Sequence, residues 1–182
     1  MDSIFYGLFL LLLDINVNGT DLLPAFLGYY LMYRGLKQLE SEGPRFAEMK
    51  PWAIAMAVVN AILFILDLTG LNPETLGVIP VSAGTTVAFL FILYRIVQGI
   101  QELEGKMDAN LEGALLMRRW KHVCIVQIAS YLLSGLLSFK PIRLGIAVAV
   151  LALVSFVLYI LFLLAFHRSR QAYYAALRSA TE

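Results

Sequence analysis

The sequence predicts an all-α polytopic membrane protein: six transmembrane or partly re-entrant helices, arranged as three hairpins. Three observations carry that expectation. The 182 residues are 60% hydrophobic and only 15% charged, with a mean hydropathy of +0.76. Soluble domains run at about 45–50% apolar and about 25% charged, so a soluble fold of this size has nowhere to hide the surplus. Six apolar runs follow one another, at Ile4–Leu13, Leu22–Tyr33, Trp52–Leu68, Gly77–Ile100, Val123–Phe139 and Ile142–Phe166. The Lys and Arg residues fall almost entirely into alternate gaps between those runs.

The first two runs are short and the last four approach the roughly 20 residues that cross a hydrocarbon core. Arg34, Lys37, Arg45 and Lys50 follow the second run. Arg95, Lys106, Arg118, Arg119 and Lys121 end or follow the fourth, and Arg168, Arg170 and Arg178 follow the sixth. Only Lys140 and Arg143 lie on the other side. Basic residues stay in the cytoplasm, so both termini and both long connectors are expected there, in the plasma membrane. Trp52 and Trp120, with Tyr33 and Tyr94, sit at the level of an interfacial aromatic belt. The chain reads as one membrane domain over 1–182, with hairpins at 1–40, 50–105 and 118–170. The connectors at 34–50 and 99–121 place apolar residues three or four apart among charges, as amphipathic helices on the membrane surface do. The tail from Gln171 has the same pattern. Pro80 and Gly84 predict a kink in the fourth run.

Internal similarity supports the hairpin reading. Gly35-Leu-Lys-Gln-Leu-Glu40 matches Gly99-Ile-Gln-Glu-Leu-Glu104, with Tyr30 and Tyr94 five residues upstream. Leu13-Asp14 matches Leu66-Asp67 before each outer loop, and Met49-Lys-Pro-Trp52 matches Met117-Arg-Arg-Trp120 at each following helix start. Hairpins in parallel orientation, diverged from one another, would give these matches in this order.

The stretch LLLDINVNGTDLLP, Leu11–Pro24, is the first candidate site. Asp14, Asn16 and Asn18 with Gly19 fit the first half of a calcium loop, but Ala25 stands where a bidentate Glu is needed. A turn on Asn18-Gly19, with Thr20 or Asp21 capping a helix from Leu22, accounts for most of the same residues. A third reading sinks the turn below the membrane surface, because the first run is too short to span. Asp14, Asn16, Asn18 and Asp21 would then share an outward-facing polar cavity with Asp67, where carboxylates at membrane depth are functional candidates. The metal, if that cavity takes one, is left open by the sequence. Asn60 and Gln127 fall mid-membrane at comparable places in hairpins two and three, suited to interhelical hydrogen bonds or to a ligand contact.

Other features are less specific. Ala53, Ala57 and Ala61 form a small-residue row for close helix approach, within the chain or against a membrane partner. His122 and Cys124 are two apart and do not share a helix face. His167, beside Arg168 at a helix end, is expected to reach the interface. Ser82, Ser130, Ser134 and Ser155 are expected to bond back to their own helices. Net charge of +1 gives no case for nucleic acid. The lone Cys124 excludes an intramolecular disulfide, and the N-terminus lacks the basic region of a cleaved signal. No catalytic motif is present, and no cofactor is implied.

The stretch LLLDINVNGTDLLPAFLGYYLMYRGLKQLE resembles the N-termini of a group of small multi-pass proteins of Gram-positive anaerobic bacteria, which share L-D-x-N-x-x-G-x-D-L-L-P-x-F-x-G-Y. The likeness is clearest through Glu40. It implies a bacterial cell-membrane protein and carries no established activity. Size and helix number are similar to the S components of energy-coupling-factor transporters, whose docking alanines Ala53, Ala57 and Ala61 resemble, here in the third run rather than the first. The sequence as a whole predicts a non-enzymatic protein that binds or transports a small molecule or ion. The alternative is a structural or regulatory protein acting through helix contacts with a partner.

Overall fold

In a computed structural model, described for residues 1–12, 16–17, 20–21, 24–69, 79–139 and 145–179, the chain forms six α-helices. They are α1 (Asp2–Leu12), α2 (Ala25–Gln38), α3 (Pro44–Leu68), α4 (Ile79–Met107), α5 (Gly113–Phe139) and α6 (Gly145–Ser179). Between α1 and α2 a two-residue antiparallel ribbon pairs β1 (Asn16–Val17) with β2 (Thr20–Asp21).

Each helix packs on the next in chain order, and α6 returns to α1, so the six close into a ring. The α1–α2 contact is the tightest, because three glycines let the backbones meet. A Cβ on Gly7 would lie 2.6 Å from the Gly28 carbonyl oxygen, and one on Gly35 would lie 2.5 Å from Ile4 Cγ1. Gly99 makes the corresponding approach in the second hairpin: a Cβ there would meet the Phe46 ring at 2.7 Å. Gly35 and Gly99 each lie on a returning helix close to the start of the outgoing one, Gly35 against Ile4 and Ser3 and Gly99 against the Phe46 ring.

Closure of the ring rests on side chains from its two ends. Arg170 on α6 lies 4.5 Å over the Phe5 ring and 3.3 Å from the Asp2 carboxylate, to which the Tyr174 hydroxyl also donates at 3.0 Å. His167 packs its ring 5.3 Å from Phe5. It is half-buried against α1 rather than reaching free into the interface, because α1 covers this end of α6.

Several element boundaries differ from those the sequence predicts, each for a local reason. The residue before a proline disfavours helical backbone, so α2 begins at Ala25, with Pro24 extended at the cap position. Thr20 and Asp21 do not cap it, since their backbones pair with Val17 and Asn16 in the ribbon. The turn expected on Asn18-Gly19 lies outside the described residues. Helix α4 starts at Ile79, so Pro80 occupies a first turn, where its missing N–H costs nothing. Pro51, by contrast, is inside α3, which already begins at Pro44.

The two amphipathic connectors are continuations of their flanking helices, α2 and α3 for the first and α4 and α5 for the second. Only residues 39–43 and 108–112 interrupt them. At the first turn the Leu39 N–H bonds the Gly35 and Leu36 carbonyls, each at 3.2 Å. At the second, Asp108 and Glu112 take left-handed backbone (φ 46° and 58°), and the Glu104 carboxylate accepts from the Gly113 N–H at the start of α5 (3.1 Å). The tail from Gln171 likewise continues α6 as one helix to Ser179.

The end of the ring that carries Met1, the last turn of α6 and the turns at 39–43 and 108–112 is the basal half. It holds the solid core: Ile4, Met32, Leu36, Phe46, Ile96, Ile100, Leu103, Leu116 and Phe166 are all essentially inaccessible. Ion pairs Arg45–Glu102, Arg95–Glu48 and Lys50–Glu40 bind the helix ends together around it, and Arg45 also donates to Gln98 Oε1 at 2.7 Å. The twelve basic residues in alternate gaps therefore all belong to this end.

Three helices are long and apolar enough to cross a membrane: α3 over Pro44–Leu66, α4 over Ala83–Met107 and α6 over Ala149–Ser179. Helix α5, at 27 residues, has the length, about 40 Å at about 1.5 Å per residue. Helix α1 does not: its 11 residues cover about 17 Å. The outer perimeter of the ring is apolar nonetheless. Ile62 and Ile65 on α3, Val87 on α4, Ile125 and Leu132 on α5 and Leu153 on α6 all face outward.

Candidate functional site

Above the solid basal core the ring is hollow. A cavity of about 700 Å³ lies at its centre, and all six helices contribute to its wall. The wall has two chemically different sides. The short hairpin supplies mainly apolar groups: Leu8, Leu11 and Leu12 from α1 and Ala25 from α2, with Tyr29 as its one hydroxyl-bearing member among the described residues. The long helices supply the polar ones: Asn60 from α3, Thr85 and Thr86 from α4, Gln127 and Ser130 from α5, and Ser155 and Tyr159 from α6. Phe89, Leu93, Ala152, Phe156, Phe162 and Leu163 complete the lining, and Leu93, Phe162 and Leu163 belong also to the buried core.

Helix periodicity explains why these residues converge. Residues three or four apart share a face, and the polar lining comes in such pairs: Gln127 with Ser130 on α5, and Ser155 with Tyr159 on α6. Thr85 and Phe89 do the same on α4. A ring of six helices turns each of those faces inward together.

Hydrogen bonding divides the polar groups into occupied and free ones. The Ser130 hydroxyl donates to the Val126 carbonyl and the Ser155 hydroxyl to the Leu151 carbonyl, both at 2.9 Å, as hydroxyls in apolar helices do. Thr86 Oγ1 and the Tyr131 hydroxyl share a bond of 2.7 Å across α4 and α5. The Asn60 amide donates to the Met56 carbonyl one turn back (2.8 Å), which leaves its oxygen as an acceptor without a partner among the described residues. Gln127 makes no hydrogen bond among the described residues, so its whole carboxamide is available to the cavity. Three of the aromatic side chains interlock: Tyr29 meets Phe89 edge-on at 6.1 Å, and Phe89 meets Tyr159 at 6.3 Å.

The structure brings together two of the seven site residues expected from the sequence. Asn60 and Gln127 line one cavity from different helices. Asn16 and Asp21 face each other across the ribbon, but their side chains lie outside the described residues, as do Asp14 and Asn18. Asp67 is in the last turn of α3, and its side chain too is outside them. Among the described residues no group of three or more His, Cys, Asp or Glu side chains could hold a metal ion. The alanine row turns inward at one end: Ala53 is fully buried and Ala57 packs against the core. Trp120, expected at the membrane interface, spends its indole N–H on the Leu90 carbonyl of α4 (3.0 Å) and stacks on Tyr94 at 4.8 Å.

Sequence reasoning missed the aromatic and hydroxyl lining. Tyr29, Phe89 and Tyr159 look like ordinary core residues in an apolar run. Their one available signal was spacing, since Ser155 and Tyr159 put two polar atoms on one stripe of an otherwise apolar helix.

No protein-family model matches the chain, and neither a curated protein nor a solved structure shows similarity to it.

Proposed function

We propose that this is an integral membrane protein of the bacterial cell membrane, with both termini cytoplasmic, that binds or carries a small molecule in the cavity of its helix ring. The observation that supports this most is the cavity's combination of size and unfinished bonding. Ligand sites are typically about 300–1,000 Å³, largely apolar, with a few polar groups placed to orient the guest. Here the volume falls inside that range, and the Gln127 carboxamide and the Asn60 oxygen have no partner among the described residues. The exposed apolar perimeter supports immersion of the whole ring in lipid, with α1 and α2 as short, partly re-entrant members. The positive-inside rule supports a cytoplasmic basal half. No chemical motif supports catalysis, so the reading is of a non-enzymatic binder or carrier.

Native mass spectrometry of the protein released from its own membranes tests this. Wild type is expected to carry a co-purifying small molecule that Gln127→Leu loses while retaining its lipids. Identical adduct patterns for the two would contradict the reading.

A further inference from the structure

We infer that the cavity takes an uncharged ligand with an aromatic body and an amide-like polar edge. The inference rests on the binding reading above and adds the chemical class.

Charge is the first argument. No Asp, Glu, Lys, Arg or His stands among the described residues that line the cavity. Removing an ion from water without a paired countercharge costs far more than removing a neutral polar group. Among the described residues, a wall of hydroxyls, carboxamides and rings offers dipoles but no such countercharge. An ionised guest would leave its solvation behind and find no replacement, so the lining selects against ions of either sign.

The second argument is the type of free polar group. A carboxamide offers an acceptor oxygen and two donor hydrogens in one plane. Gln127 presents all of these, and Asn60 adds an acceptor from another helix. Groups that donate and accept side by side, as amides and lactams do, satisfy a carboxamide best. A pure acceptor such as an ether leaves its oxygen unbonded, at the cost of an unsatisfied polar atom.

Aromatic content is the third. Tyr29, Phe89 and Tyr159 form a contiguous set through the pairs at 6.1 and 6.3 Å, and all three line the cavity. Aromatic faces and edges attract one another beyond simple burial, a gain that an aliphatic guest of the same volume forgoes.

Three probes test the class: 2-naphthamide, 2-naphthoate, which has the same shape with a negative charge, and decanamide, which has the amide without the ring. Thermal unfolding is followed in lipid nanodiscs for wild type and for Ser155→Leu and Ser130→Leu, each of which adds bulk at the cavity wall. Two filled variants keep the comparison usable if either fails to fold. A ligand that binds only the folded state raises the midpoint in a saturable way. The expected result is such a rise for 2-naphthamide with wild type, its reduction in the filled variants, and no comparable rise with 2-naphthoate or decanamide. An equal or larger rise with 2-naphthoate or decanamide, itself reduced by filling, would overturn the class and leave the binding cavity standing. No rise with any probe, or rises unaffected by filling, would overturn the class at this site, while the adduct comparison of Gln127→Leu judges the binding reading separately.

Discussion

The two halves of the ring solve opposite problems with the same six helices. In the basal half, large side chains meet glycines and ion pairs tie α3 to α4 and to the turn after α2, and α6 to α1. Phe46 sits against Gly99, Ile4 against Gly35, and three ion pairs surround them. In the distal half, the same helices diverge around a cavity of about 700 Å³ whose polar groups are only partly bonded. Close packing supplies most of the stability of a protein interior, and voids forfeit it. The difference teaches that stability and binding are separated along the ring axis. The basal half holds the helices so that the distal half can stay open.

The largest expected effect is therefore basal. Phe46 is 1% exposed in the core, and Phe46→Ala is expected to destabilise by about 3–5 kcal/mol. Thermal unfolding in detergent measures it. Because a Cβ on Gly99 would meet that ring at 2.7 Å, Gly99→Ala should be costly alone and much cheaper in the Phe46→Ala background. Additive losses would mean that the two residues are not the coupled pair the packing indicates.

Gly35→Val ranks next. Its side chain would enter space held by Ile4, and overpacking of this kind costs about 1–3 kcal/mol. The α1–α2 hairpin should loosen first, read as faster proteolysis or hydrogen exchange in α1 than in α4. A uniform loss across the ring would contradict a local role for the glycine.

A smaller effect is expected at the ion pairs. Arg45 and Glu102 are about a third exposed and screened by solvent, so Arg45→Met should cost at most about 1 kcal/mol. The cost should shrink in high salt. A salt-independent loss would assign the role to the side chain's packing rather than to its charge.

Sequence legibility divides along the same line. The glycines that seat α2 and α4 were visible as a matched pair, Gly35 and Gly99, because close helix approach demands a small residue at a fixed place. Asn60 and Gln127 were visible because a polar side chain in an apolar run is conspicuous. The amphipathic pattern at 34–50 and 99–121 was visible as well, but its meaning depended on tertiary context. The same spacing suits a helix on a membrane surface and a helix end whose charges pair with a neighbour, and only the Arg45–Glu102 and Arg95–Glu48 contacts decide between them. Closure of the ring by Asp2, Phe5, Arg170 and Tyr174 joins residues from opposite ends of the chain. No local periodicity encodes that contact, so the closure of the helices into a ring was not legible.

The smallest stability change is expected from the distal half. Gln127→Leu replaces a carboxamide without a partner among the described residues by an apolar group of similar size. It should shift unfolding by no more than about 0.5 kcal/mol and in the stabilising direction. A loss of 2 kcal/mol or more, on the scale of about 1–3 kcal/mol for orphaning a buried partner, would mean that Gln127 is already bonded.

Cysteine accessibility tests the division between halves most directly. With Cys124 replaced by alanine, single cysteines are introduced as Ser130→Cys and Ser155→Cys in the cavity and as Ile96→Cys and Leu116→Cys in the basal core. The protein is kept in its membrane and exposed to N-ethylmaleimide, which is neutral and permeant. The cavity positions are expected to react readily and the basal positions to stay protected until the protein is unfolded. Equal protection at all four sites would contradict an open distal chamber, and equal reactivity would contradict a solid basal half.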